Sequence, residues 1–260
     1  MLKKRLFQIC VELTNGKLSS KALQKFTKSN MSRLLIAPFA KVYNINTYEI
    51  LGEMEDFKTL NEFFIRKVHP ATRPIDEEKT SIISPTDGVI SEVGVIEDDA
   101  TFIIKEQEYS VKTLLGDKDR AKKLAGGVYM VIYLSPKNYH RIHFATDGVV
   151  KNAYTLGKYS YPVNNAGLKY GDNILSYNYR KIFNIENNKL NYDLIAVGAQ
   201  NVNSIVTTYD NVEVEKGTEL GYFEFGSTVV LLFERDSIEL FDITENKEIK
   251  MGQKIATVKE

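Results

Sequence analysis

From residue 82 onward the chain breaks into short runs rich in β-branched and aromatic side chains, at 82–90, 128–134, 142–150, 203–208, 212–215 and 229–233. Runs of this length between turn-forming residues read as strands. Two of them share a signature: Thr86-Asp87-Gly88-Val89-Ile90 recurs as Thr146-Asp147-Gly148-Val149-Val150. Further on, Val214-x-x-Gly217-x-x-Leu220-Gly221 recurs as Ile249-x-x-Gly252-x-x-Ile255-Ala256. Asp-Gly between strand-like runs signals a hairpin, because such turns need residues that tolerate positive φ. The echoes predict a barrel or sandwich-like domain built from similar hairpins. Turn chemistry alone accounts for Asp87 and Asp147, and on that ground neither needs a catalytic role.

The first 70 residues have a different period. Leu2, Leu6, Ile9 and Leu13 fall on one helical face, and Leu23, Phe26, Met31, Leu34 and Leu35 continue a similar pattern after Asn15-Gly16. Thr59-Leu60-Asn61-Glu62 has capping-box spacing and opens a short helix through Ile65, which His69-Pro70 ends. A further helix is expected over 110–124, capped by Ser110. The expected fold class is α+β: a basic amphipathic helical region over 1–70, then a β-rich domain over 71–260, with no long linker.

Charge sharpens the division. The chain carries 34 Lys and Arg against 34 Asp and Glu, a balance that by itself argues against a polyanionic partner. Yet residues 1–43 hold nine basic side chains, Lys3, Lys4 and Arg5 among them, and one acid, Glu12. Basic charge beside an apolar stripe reads as a helix lying in a membrane interface. The competing reading packs the stripe on the protein's own core. No apolar stretch approaches the roughly 18 residues needed to span a bilayer. A secretory signal is rejected, because Gln8 and Glu12 interrupt the apolar stretch and no small-residue cleavage site follows. The lone cysteine, Cys10, excludes a disulfide framework and any multi-cysteine metal site.

Two of the three histidines sit in Tyr139-His140-Arg141-Ile142-His143. A metal site would need further ligands, and His69 and Cys10 belong to distant segments, so none is expected. In an extended strand His140 and His143 point to opposite faces; a turn set by Pro136 and Asn138 would let both face one site. The most specific feature is Phe225-Gly226-Ser227-Thr228, directly before the apolar run at 229–233. Gly226 offers a carbonyl that can be approached closely, and a serine held beside it can attack that carbonyl once a base removes its proton.

Taken with Thr59-Leu60-Asn61-Glu62-Phe63-Phe64-Ile65-Arg66, Arg73-Pro74-Ile75-Asp76, Ser84-Pro85-Thr86-Asp87-Gly88, residues 134–143 and Val197-Gly198-Ala199, this motif resembles the phosphatidylserine decarboxylase family, in the same order and with compatible spacing. The length is similar to the shorter bacterial members. Three positions depart from the pattern: Phe225 replaces a leucine, Asn178-Tyr179-Arg180 replaces Asn-Glu-Arg, and Asn203 stands where a glycine is common.

The resemblance implies a catalytic domain that cuts itself between Gly226 and Ser227, giving a β chain of 1–226 and an α chain of 227–260. It implies a processing triad of Asp87, His143 and Ser227, with Asp87 orienting the imidazole and His143 deprotonating Ser227. Ser227 would become a covalent pyruvoyl group that forms a Schiff base with the substrate amine, without pyridoxal phosphate or metal. His140 is the expected proton donor for the product carbon. The implied reaction converts phosphatidylserine to phosphatidylethanolamine in phospholipid biosynthesis. The implied location is the cytoplasmic face of the cell membrane, peripherally on anionic phospholipid, with homo-oligomers possible within the family and no nucleic acid bound. Two alternatives compete: a soluble pyruvoyl-dependent amino-acid decarboxylase, and a non-catalytic biotinyl/lipoyl-like barrel, which would need a modifiable lysine at a hairpin tip.

Overall fold

The computed structural model describes residues 24–163, 165–199, 205–224 and 227–259. A 3-10 turn at Asn30–Leu35 leads into helices α1 (Ile36–Val42) and α2 (Leu60–Phe64). Thr59 caps α2 by accepting from Glu62 N at 3.1 Å, while the Glu62 carboxylate reaches back to Lys58 N at 2.7 Å. Ile36, Ala40, Ile45, Ile50, Leu60 and Phe63 close a small core between these elements. Met31 and Leu34 stay outside it, 75% and 83% exposed. The stripe at Leu2, Leu6, Ile9, Leu13 and Leu23 lies outside the described residues. No helix among the described residues is long and apolar enough to cross a membrane.

Strands β1 (Ser81–Ile83) and β2 (Gly88–Val95) precede a hairpin of β3 (Thr101–Ile104) and β4 (Gln107–Ser110). Helices α3 (Val111–Leu115) and α4 (Lys118–Leu124) lead to β5 (Val128–Leu134), β6 (Arg141–His143) and β7 (Gly148–Leu156). After α5 (Asn165–Tyr170) and α6 (Ile174–Tyr177) come β8 (Arg180–Glu186), β9 (Asn191–Gly198) and β10 (Ile205–Thr207). The remaining strands are β11 (Glu213–Val214), β12 (Glu219–Phe223), β13 (Ser227–Phe233), β14 (Ile238–Leu240), β15 (Glu248–Ile249) and β16 (Lys254–Val258).

Eight of these strands form one antiparallel sheet in the order β11-β7-β8-β9-β13-β5-β2-β15. Its centre is β13, buried at every residue. Val229, Leu231 and Phe233 enter one core with β1, β6 and β16; Val230 and Leu232 enter a second with α3, α4 and the β3–β4 hairpin. Cover on both faces is why this run is apolar throughout instead of alternating.

The barrel or sandwich-like expectation is corrected here. No sheet among the described residues closes on itself: the large sheet ends in β11 and β15, each two residues long and paired on one side only. Helices and a hairpin, rather than a second full sheet, cover one of its faces. Two element boundaries change as well. The runs at 82–90 and 142–150 are each broken by a turn, and the helix expected over 110–124 is two helices, because Gly116 adopts φ +68° and Asp117 caps a new start.

The sequence echoes mark equivalent positions in two halves. Gly88 pairs with Ile249 as Gly148 pairs with Val214. Asp87 accepts from Met251 N at 2.9 Å and Asp147 from Lys216 N at 2.7 Å. The halves meet through reciprocal bonds, Ile83 N to Ala145 O at 3.0 Å and His143 N to Pro85 O at 2.8 Å. Reciprocity of this kind is the mark of an approximate two-fold axis. Ile83 is thus the counterpart of His143, which sits where the halves touch.

Candidate active site

Ser227 opens β13, opposite Leu134 of β5 on one side and Gly198 of β9 on the other. It is buried, and its hydroxyl has no hydrogen-bond partner among the described residues. Its surroundings are set by the turn after Leu134. Asn138 Oδ1 accepts from Ser135 N at 2.9 Å and from Ser135 Oγ at 2.7 Å, and Asn138 N donates to Ser135 O at 2.9 Å, closing the turn that leads to Tyr139 and His140. The His140 carbonyl then accepts from Phe223 N at 2.9 Å, fixing this turn against the strand that leads toward Ser227. Phe225 and Gly226 lie outside the described residues, so the expected cleavage site is described on its serine side only.

His140 is buried, with its ring centroid 4.0 Å from that of Phe64. Its Nδ1 lies 2.9 Å from Asn138 O, and an acceptor there requires Nδ1 to carry the proton. Nε2 therefore bears the lone pair, and it has no partner among the described residues. Burial, reinforced by the nearby Arg66 charge, pushes the imidazole down to about 3, so the ring is neutral at physiological pH. Arg66 is itself buried, donating to Lys137 O at 2.8 Å and Asn138 O at 3.1 Å; burial pulls it down to about 10. Asn138 O thus serves both Arg66 and His140.

His143 is held alike. Nδ1 donates to Gly217 O at 2.8 Å, and the Tyr139 hydroxyl donates to Nε2 at 3.2 Å. Burial lowers its pKa, and the Gly217 carbonyl, the Glu219 charge and, least, the Asp87 charge act in the opposite direction. Sequence left open whether the histidines share a face; the structure places His140 in the turn before β6 and His143 at the strand's end, both buried.

Asp87 is clamped elsewhere. Oδ1 accepts from Arg73 Nε at 2.8 Å and from Met251 N at 2.9 Å, and Oδ2 from Arg73 Nη2 at 2.6 Å. Arg73 Nη2 also reaches Glu49 Oε2 at 2.8 Å. With Nδ1 of His143 committed to Gly217, no hydrogen bond joins Asp87 to His143 among the described contacts. The two segments are linked by backbone instead, through His143 N to Pro85 O and Thr86 Oγ1 to Arg141 O at 3.2 Å. Asp147 is the exposed counterpart of Asp87 in the other half.

Arg66, Arg73 and Tyr139 stand in the quoted motifs, but sequence reasoning assigned them no role. The available signal was a basic residue directly after Phe63-Phe64-Ile65, where a solvated charge is out of place. At the Asn178-Tyr179-Arg180 departure, the buried Asn178 side chain donates to Gly198 O at 2.9 Å, bracing the residue opposite Ser227. Arg180 donates to Leu114 O at 2.7 Å and Thr113 O at 2.9 Å, neutralising the end of α3. Asn203 and Cys10 lie outside the described residues, and His69 caps a 3-10 turn by accepting from Ala71 N.

The fold is α+β, with a buried serine at the head of a central strand and two buried imidazoles in and after the turn that follows the neighbouring strand β5. Comparison makes the class specific. The profile of phosphatidylserine decarboxylase matches residues 60–257. Over 257 residues the chain is 46% identical to a phosphatidylserine decarboxylase proenzyme of Geobacillus sp. (strain WCH70), covering 98% of this chain and 99% of that one. Proenzymes of the same description from Bacillus thuringiensis (strain Al Hakam) and Bacillus cereus (strain 03BB102) are 45% identical, with 98% of each chain covered. The chain belongs to the phosphatidylserine decarboxylase family.

Proposed function

We propose that this chain decarboxylates phosphatidylserine to phosphatidylethanolamine, and that it matures by cutting itself between Gly226 and Ser227. The observation that carries the second part is the buried Ser227 hydroxyl, which has no hydrogen-bond partner among the described residues, at the head of a central strand. The proenzyme description of its relatives supports it.

His143 is neutral and presents Nε2 as an acceptor, the state a general base requires. It removes the Ser227 proton, and Ser227 Oγ attacks the Gly226 carbonyl, exchanging the amide for an ester and freeing the residue 227 amine. Loss of the α-proton expels the Gly226 carboxylate and leaves dehydroalanine at 227. Water then releases ammonia, and the new end of the α chain is a pyruvoyl group. Asp87 acts on His143 through its charge, which favours the imidazolium, while Arg73 holds the carboxylate in place.

Ser227 Oγ and His140 Nε2, buried polar atoms lacking partners among the described residues, fit a polar group built from residue 227. That group supplies an electron sink for the charge left when carbon dioxide departs. His140, with a lone pair at Nε2 and Nδ1–H held by Asn138 O, is the proposed relay of a proton to the carbon that loses carbon dioxide. No metal or dissociable cofactor enters this scheme.

Access to a lipid headgroup comes from the helical region. Met31, Leu34 and Tyr48 are 75%, 83% and 96% exposed, and Lys25, Arg33 and Lys41 are exposed in the same stretch. Apolar side chains interleaved with cations fit peripheral binding to anionic phospholipid at the cytoplasmic face of the cell membrane. The deciding experiment is the mass of the C-terminal fragment, with turnover of phosphatidylserine vesicles measured against free serine. An intact 29.6 kDa chain from freshly purified protein would refute self-cleavage.

A further inference from the structure

Glu224 is the last described residue before Ser227, and it is a buried carboxylate, only 6% exposed. Two of its partners come from the other end of the chain: Lys28 Nζ lies 2.6 Å from Oε1, and Gln24 Nε2 donates to Oε2 at 3.1 Å. The segment carrying them is itself bolted down. Ser32, fully buried, donates through Oγ to Thr27 O at 2.9 Å and accepts from Leu60 N at 2.9 Å. A charge buried within three residues of the proposed scission point has a cost unless it is paired, so its pairing has a positional consequence.

We infer that Glu224 is a positioning residue that moors the cut end of the β chain to the Gln24–Lys28 segment. The inference rests on cleavage between Gly226 and Ser227. Before scission, residue 224 is held on both sides by covalent chain, since β12 precedes it and β13 follows. After scission the downstream tether is gone. What then holds the tail beside His140 is the pairing of β12 with β10 and β6, the bond from Phe223 N to His140 O and, at residue 224 itself, the ion pair to Lys28. The mooring also has a direction. Residues 24–35 expose Met31 and Leu34, so the tail of the active site and the surface proposed to meet lipid share one support.

The test uses full-length Lys28→Met and Glu224→Gln enzymes and the charge-swapped double variant K28E/E224K. Both single variants are expected to process at the normal rate and release an α chain of unchanged mass. Their turnover of phosphatidylserine vesicles should fall about three- to tenfold, the net range for losing one ordinary hydrogen bond. Amide exchange at residues 219–224 should accelerate in the processed form but not in an uncut Ser227→Ala background. Partial recovery of turnover in the swapped pair would support the mooring directly. Processed Lys28→Met enzyme with normal exchange and normal turnover overturns it. So does processing that slows in step with turnover, which would assign the pair to folding of the precursor. An α chain of a different mass refutes the cleavage position itself, a result read independently of exchange and rate.

Discussion

Tyr139 and His143 are joined on the imidazole nitrogen that a general base must use: the Tyr139 hydroxyl donates to Nε2 at 3.2 Å, while Gly217 O takes Nδ1–H at 2.8 Å. The ring is fixed at both ends, and in the proposed self-cleavage the tyrosine hydroxyl orients the nitrogen that receives the Ser227 proton. Burial raises the Tyr139 pKa, so the hydroxyl stays a neutral donor. Tyr139→Phe keeps the ring and deletes this one group. Appearance of the α chain on denaturing gels should slow about tenfold, in the range of one lost positioned hydrogen bond. The folded protein should lose about 1 kcal/mol or less. Unaltered processing would leave Tyr139 a packing residue.

The two neutral histidines give the fold a calculable acid limit. His140 titrates near 6.5 when unfolded and is pushed down to about 3 when folded. A depressed folded value means the unfolded chain binds the extra proton first, so stability is full above about 6.5 and drains as pH falls toward about 3. At pH 5 the linkage amounts to about 2 kcal/mol for this residue. His140→Gln should therefore show a flatter decline of the urea midpoint between pH 7.5 and 5. An equally steep decline in the variant would place the acid sensitivity elsewhere.

Arg73 separates holding Asp87 from using it. Arg73→Met strands a buried carboxylate and should destabilise by about 3 kcal/mol. Removing the charge as well, in R73M/D87N, should restore most of the stability, since two neutral groups replace one unpaired ion. Processing should stay slow in that double variant, because Asp87 then no longer adds to Glu219 and the Gly217 carbonyl in favouring the His143 imidazolium. Recovery of both stability and processing would show that Asp87 matters only as a structural ion.

What the sequence revealed follows the physics of each signal. Local signals survived: the Thr59 cap, the Ser110 cap, the strand character of 229–233 and the turn role of Asp147 each depend on a few neighbouring residues. Global closure did not, because hairpin echoes specify a repeated unit and not how many strands lie between its copies. The echoes were nonetheless real, marking equivalent positions across an approximate two-fold. Asp87 and His143 were legible as motif residues, whereas their partners were not. A hydrogen bond from His143 to Gly217, 74 residues away, or from Arg73 to Asp87 across a turn leaves no periodic trace.

Membrane binding can be tested apart from chemistry, because the most exposed apolar side chains are outside the site. Met31 and Leu34 project from the 3-10 turn at Asn30–Leu35, whose only buried residue, Ser32, holds the turn to α2. Replacing both by serine leaves that anchor untouched and removes apolar surface that can enter the interface. Partition onto vesicles containing phosphatidylserine should weaken about thirtyfold, since each of the two side chains contributes on the order of 1 kcal/mol when partly buried in the headgroup region. Raised salt should weaken the remaining binding further by screening Lys25, Arg33 and Lys41. Self-processing in detergent should be unchanged, which rules out misfolding as the cause. Flotation identical to the unmodified chain at every salt concentration would move the lipid-facing surface away from this turn.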